Sequence, residues 1–230
     1  MFRNLNTGAI SIRATMMEAL ELAINNEFEG FDPNLGEARK LADENSVEHV
    51  KALFEEAGVK LGGWNLPVNW RGANAEYYDH LAKLPERAEF AAELGCNRCI
   101  TVIMAWDNNR PFRENWDFHV KRLTPPAEIL RDYGISLAME FIGPQTSRAP
   151  HKYGFLDSID GLLALCAALG TGNAGLLLDT WHCYTAHASL ADIEKLSKED
   201  VVYVHINDAP AGIETDDQID NVRALPGETG

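Results

Sequence analysis

Residues 175–205 read GLLLDTWHCYTAHASLADIEKLSKEDVVYVH, and this stretch decides the fold. Gly175 to Asp179 is a short apolar run of strand character, Leu190 to Leu196 has helical spacing, and Val201 to Ile206 is a second, β-branched run. Two strands with a helix between them make a parallel β/α/β unit, because a parallel partner needs a crossover connection. Each run also brings a reactive group to its end, Asp179 on the first and His205 on the second.

Outward from this unit the same alternation repeats. Toward the N-terminus lie strands expected at Leu5 to Ile12, Phe28 to Asp32, Val59 to Leu66, Arg98 to Met104 and Ile135 to Phe141. Helical spacing covers Ala14 to Asn25, Leu35 to Ala57, Glu76 to Leu94, Asn115 to Tyr133 and Ile159 to Leu169. Gly58 and Gly95 stand where a helix C-terminal glycine belongs, and Pro125-Pro126 predicts a kink or a split in the helix that contains it. Eight such β/α units closing into a barrel occupy about 250 residues. The expected fold class is therefore α/β, a (β/α)8 TIM barrel forming a single domain over 1–230, with strand eight and the last helix missing from this chain. Ala209 to Gly230, which holds Pro210, Gly212, Pro226 and Gly227, offers no strand to replace them.

Composition narrows the function classes. With 46% hydrophobic and 24% charged residues over 230 positions, the chain can bury a sizeable core and is not a disordered protein. Its 20 Lys and Arg against 35 Asp and Glu give a net charge of −15, a field that repels nucleic-acid phosphates and anionic membrane surfaces. No apolar run approaches the roughly 20 residues of a membrane-spanning helix, and Met1 to Asn6 lacks a signal-peptide core, so a cytoplasmic location is expected. Cys96, Cys99, Cys166 and Cys183 are too few for a disulfide scaffold; the Cys96/Cys99 pair has redox spacing but leaves a helix to enter a strand, so a structural role is expected.

In parallel β/α barrels the chemistry sits at the C-terminal ends of strands. Three consecutive strands here end in Glu140, Asp179 and His205, an oxygen-rich O/N set suited to a divalent cation. An acidic residue after a strand, as Asp179 is, is by itself more often a helix N-cap than a ligand, and it is three successive strands ending alike that point to a site. His182, three residues on, falls beside Asp179 if the chain turns into a helix there, and Asn207 and Asp208 lie just beyond the seventh strand. Trp64, Trp106 and Trp181 follow strands and are candidates to cover the apolar face of a polyol, with core packing as the competing reading. Gln145, Arg148, His151 and Lys152 form a polar loop that reads either as an anion contact or as a solvated patch. His49, His80, His119, His151 and His187 share no ligand spacing with one another and are read as structural.

Leu178-Asp179-Thr180-Trp181-His182, Val204-His205-Ile206-Asn207-Asp208-Ala209 and Arg223-Ala224-Leu225-Pro226-Gly227-Glu228 resemble the xylose-isomerase-like barrels, a family that includes sugar phosphate isomerases and epimerases, inosose isomerases and dehydratases, and ketose 3-epimerases. The resemblance covers nearly the whole chain. It implies one divalent metal ion, Mn2+ in first place with Co2+, Mg2+ or Zn2+ as alternatives, held by Glu140, Asp179, His205 and a second glutamate. That fourth ligand normally ends strand eight, and the role is not carried onto Glu228. The resemblance further implies proton transfer next to a carbonyl through a metal-stabilised enediolate, with Glu140 as ligand and catalytic base and His182 as a catalytic, substrate-binding group; Trp64, Trp106 and Asn207 complete the substrate contacts.

The expected function is isomerisation or epimerisation of a sugar, cyclitol or keto-polyol, with an inosose-type dehydratase as first alternative. Thr146 stands where some epimerases of the family carry a glutamate, which argues against a ketose epimerase specifically. An endonuclease of the same superfamily would need early histidines and a basic face that this chain lacks. The non-enzymatic alternative is an inactive barrel fragment, whose open strand edges favour a homo-oligomer. Without its fourth ligand the chain is expected to bind metal weakly.

Overall fold

The structure, a computed structural model, describes residues 1–229. The chain runs β1 (Asn4–Leu5), α1 (Met16–Asn25), β2 (Gly30–Phe31), α2 (Leu35–Glu44), α3 (Val47–Ala57), β3 (Lys60–Leu61), β4 (Trp64–Asn65), α4 (Asn74–Ala82) and α5 (Leu84–Glu93). It continues through β5 (Arg98–Ile103), β6 (Trp106–Asp107), α6 (Phe112–Asp132), β7 (Ser136–Phe141), α7 (Gln145–Arg148), β8 (Tyr153–Gly154), α8 (Ile159–Leu169), β9 (Ala174–Asp179), α9 (Thr180–Thr185), α10 (Leu190–Glu194) and β10 (Val201–His205).

Two parallel ladders, β1-β2-β3 and β4-β5-β7-β9-β10, share the third barrel strand, which is broken between β3 and β4 at Gly62-Gly63. The break has a physical cause: a Cβ at Gly62 would fall on Asp32 and Asn4, and one at Gly63 would crowd Ile100 and Tyr203. Seven barrel strands in parallel order confirm the α/β barrel. Among the described residues β10 and β1 share no ladder; instead the Tyr203 hydroxyl donates to Asp32 Oδ1 at 2.7 Å and accepts from Asn4 Nδ2 at 2.7 Å, tying β10 to β1 and β2 through side chains.

Several expected elements differ. The first strand is two residues rather than eight, because residues 7–11 turn, with Ser11 at φ 60. The expected helix 35–57 divides at Asn45-Ser46, where the Ser46 hydroxyl accepts from His49 N and starts α3. The expected helix 76–94 divides at Lys83, ahead of Pro85 near the start of α5. The helix with Pro125-Pro126 is neither split nor ended: α6 runs through both prolines. Pro126 leaves the Arg122 carbonyl without its helical donor, and the Tyr77 hydroxyl donates to that carbonyl at 3.0 Å. The antiparallel β6-β8 pair joins the loops after β5 and β7 and has no counterpart in the expected pattern.

Period-two alternation sorts the strands into two faces. Cys99, Leu137, Met139, Leu176 and Leu178 pack outward with the helices in the main core, while Ile100, Ala138, Leu177 and Tyr203 form a separate layer inside the barrel. Two residues further along the same four strands come Val102, Glu140, Asp179 and His205. The layer that floors the mouth is therefore apolar, and the next one up carries the chemistry. All four cysteines are buried and free, with burial pushing the Cys96, Cys166 and Cys183 thiols up to about 12, as inert packing groups require. No helix among the described residues is long and apolar enough to cross a membrane.

Candidate metal centre

One potential ligand atom from each of Glu140, Asp179 and His205 falls within 4.8 Å of the other two. His205 Nδ1 stands 3.2 Å from Glu140 Oε1 and 3.7 Å from Asp179 Oδ2. The two carboxylates are 8% and 1% exposed, and adjacent negative charges so withdrawn from water need a cation between them. In the metal-free chain a proton fills that role. Burial alone would lower the His205 pKa, but hydrogen bonds to Asp179 and Glu140 outweigh it and raise the value to about 9. Burial likewise opposes ionisation of Asp179, yet His205, His182 and Arg223 hold its carboxyl well below the usual range. A pair of hard oxygen donors and one imidazole edge facing a common point fit a divalent cation.

Asp179 realises both of its expected readings on different oxygens. Its Oδ1 accepts from Trp181 N at 2.8 Å and His182 N at 3.2 Å, capping α9, while its Oδ2 faces His205. The cap fixes the carboxylate's rotation, so helix and ligand geometry support each other.

α9 in turn places His182, which is 1% exposed. The backbone N–H of Gly143 donates to His182 Nδ1 at 3.1 Å, so the neutral ring carries its proton on Nε2. That nitrogen lies 3.0 Å from Arg223 Nη2. Two donors therefore converge with no acceptor between them, a geometry that an oxygen of a bound molecule would satisfy. Arg223 Nη1 also donates to Asp179 Oδ2 at 2.7 Å, Nη2 donates to Asp220 Oδ1 at 3.0 Å, and the guanidinium lies 4.5 Å from the Trp181 ring. Arg223 comes from the irregular segment after β10, which is pinned by Thr146 Oγ1 donating to the Gln218 carbonyl at 2.6 Å and by an Asp208↔Ala224 bridge.

In the sequence Arg223 stands only within the Arg223 to Glu228 motif, without a role of its own. The signal was present: it is the single basic residue between 206 and 229, among six carboxylates.

The remaining expected site residues separate. Trp64 is a correction: it is 7% exposed and packs in the main core, because Gly63 takes the inward position and Trp64 must face the helices. Trp106 stands on β6 at the rim, stacked on His151 with ring centroids 3.3 Å apart. Trp181 is buried beneath Arg223. Asn207 is held through its backbone N–H donating to Thr180 Oγ1 at 3.2 Å, and it lines a cleft of about 320 Å³ with Thr180, Trp181 and Tyr184. In the loop after β7, Arg148 is paired with Asp157 and is not free to meet an anion. Asp208 Oδ2 accepts from Gly227 N and Thr229 N, anchoring the Pro226-Gly227 turn.

Residues 18–227 match the family model described as xylose isomerase-like TIM barrel. An inosose isomerase of Halalkalibacterium halodurans is 30% identical over 188 residues, which is 80% of this chain and 63% of that protein. The chain thus spans less than two thirds of the length of the curated relatives it matches. A xylose isomerase domain protein from Alicyclobacillus acidocaldarius superposes over 100% of this chain and 80% of its own with a TM-score of 0.88 at 28% identity. The IOLI protein with a bound zinc atom superposes with a TM-score of 0.78 at 17% identity, again over 100% and 80%. This chain belongs to the xylose isomerase-like TIM barrel family.

Proposed function

We propose that this chain is a divalent-metal-dependent isomerase or epimerase of a sugar, cyclitol or keto-polyol, working by proton transfer at the carbon next to a carbonyl. The observation that carries the reading is the meeting of Glu140, Asp179 and His205 at the ends of β7, β9 and β10. Glu140, Asp179 and His205 would hold the cation, which when bound polarises the substrate carbonyl and offsets the charge that develops on its oxygen.

The chain's own residues supply the rest. His182 Nε2–H and Arg223 Nη2–H together bind one substrate oxygen and orient the reacting carbon. Glu140 Oε2 has no hydrogen-bond partner among the described residues and is the base that takes the proton. Trp106 at the rim and Asn207 in the cleft contact the remainder of the polyol.

Incubation with Mn2+ and a panel of ketoses and inososes in D2O, followed by NMR, tests this reading. Deuterium is expected to enter next to the carbonyl, and Glu140→Gln is expected to stop the exchange. Loss of water to an unsaturated product would assign a dehydratase instead. No exchange with any panel member by metal-loaded protein counts against the proposal.

A further inference from the structure

A cleft of about 380 Å³ opens at the base of the barrel, within the size range of small-molecule sites. Lys60 opens β3 and Arg98 opens β5, so both line it from the N-terminal ends of their strands, opposite to the strand ends that carry Glu140, Asp179 and His205. Its inner wall is the apolar layer of Phe54, Val59, Leu61 and Leu94. α3 and α5 end beside it, at Gly58 and just before Gly95. A Cβ on either glycine would meet nothing within 4 Å, so the walls are bare there.

The charge on the cleft runs against that of the chain. Lys51, Lys60 and Arg98 line it with a single carboxylate, Glu55, a local excess of positive charge on a protein of net charge −15. Among the described residues none of the three cations forms an ion pair, and none donates a side-chain hydrogen bond to a carbonyl at a helix end. Exposed Glu29 and Glu48 feel Lys60 and Lys51 only at longer range.

Two of the cations share one aromatic ring. Lys60 Nζ is 5.2 Å and Arg98 Cζ 5.8 Å from the centroid of Phe2. Gly30 makes room for this arrangement, because a Cβ there would strike the Phe2 ring. Like charges gathered around one ring repel each other, and an anion between them would offset that repulsion. Arg98 offers a planar fork to such an anion and Lys60 a point charge.

We infer that this cleft is a binding site for a small organic anion, a carboxylate or phosphate group on a flat apolar body. Lys60 and Arg98 receive the anionic group, Lys51 attracts it from the edge, and the body lies against Phe2 and the wall of Phe54, Leu61 and Leu94. The site is independent of the isomerase reading.

The test is a titration followed by NMR at the backbone amides of Gly58 and Gly95, with benzoate, phenyl phosphate, neutral benzyl alcohol and inorganic phosphate as probes. Benzoate or phenyl phosphate is expected to shift both amides saturably and to bind at least about tenfold more tightly than the neutral and inorganic probes; the stronger of the two identifies the anionic group. The amides of Glu140, Asp179 and His205 are expected to stay in place. Lys60→Gln combined with Arg98→Gln is expected to weaken the organic anion about tenfold and to leave benzyl alcohol within about twofold. In the parent, raising NaCl from about 0.05 M to about 0.5 M is expected to weaken benzoate several-fold. An anion held without these cations would show the reverse, because salt screens its repulsion by the acidic chain. The salt comparison needs no variant, so it decides the matter even where the double variant does not fold. No saturable shift at Gly58 and Gly95 with either organic anion overturns the inference, as does equal binding of benzyl alcohol. It is overturned too by an affinity that survives the double substitution or rises with salt. Shifts of these two amides that grow with protein concentration alone would assign the cleft to a second copy of the chain, and likewise overturn it.

Discussion

His205 Nδ1 lies 3.2 Å from Glu140 Oε1, although the whole of β9 separates their two strands. Asp179 comes from that intervening strand and addresses the same ring nitrogen. The three groups are thus drawn together by whatever cation occupies the point between them.

In metal-free protein that cation is the His205 proton. Because the folded pKa is raised, from 6.5 to about 9, the stabilisation is complete below about pH 6.5 and is lost as pH rises through about 9. Melting in the presence of a chelator is expected to show a midpoint that falls across this window, by the equivalent of up to roughly 3 kcal/mol, and His205→Asn is expected to flatten the profile. A flat profile in the parent would mean that the ring is not held by the carboxylates.

Gly143 is the point of closest approach between the end of β7 and α9. A Cβ there would fall on the His182 carbonyl and on Thr185 Oγ1, and its N–H is the donor that sets the His182 tautomer. Gly143→Ala is expected to cost about 1–3 kcal/mol and to lower kcat by about 10²-fold through displacement of His182. Chemical denaturation and turnover check the two effects separately; normal values for both would show that α9 is not fixed by this contact.

Arg223 closes the irregular segment onto Asp179. Its side chain is 21% exposed, so Arg223→Gln is expected to cost roughly 1–3 kcal/mol, less than a fully buried pair. The same change is expected to raise KM and to speed proteolysis within 206–229. Unchanged cleavage rates would detach the segment's order from this ion pair.

Tyr203 joins β10 to β1 and β2 where, among the described residues, no ladder does. Tyr203→Phe leaves half-buried Asp32 and Asn4 each short of one partner and is expected to cost about 1–2 kcal/mol by denaturant titration. Combining it with Asp32→Asn is expected to cost less than the sum of the single changes, because both remove one network.

Much of this was readable in the chain. Glu140, Asp179 and His205 are legible because each ends an apolar run, and period two places them one step above Ala138, Leu177 and Tyr203 on the inward face. Of its two readings Trp64 takes core packing, because following a strand does not fix a facing. The pleat is reset by Gly62-Gly63, and only contacts with Ile100 and Tyr203 show which glycine points inward. Arg223 lies in a segment without periodicity, so nothing local says where its guanidinium will land. The strand expected at Leu5 to Ile12 is short because residues 7–11 turn, and the one expected at Val59 to Leu66 is interrupted at Gly62-Gly63.

The most direct test of the central claim is a thermal melt of the chain and of Asp179→Asn, each with and without Mn2+ at about pH 7.5. The account predicts that saturating metal raises the parent midpoint by roughly 5 °C or more and leaves Asp179→Asn unmoved. A parent midpoint that does not respond, or an equal rise in Asp179→Asn, would contradict the assignment of Glu140, Asp179 and His205 as a metal centre.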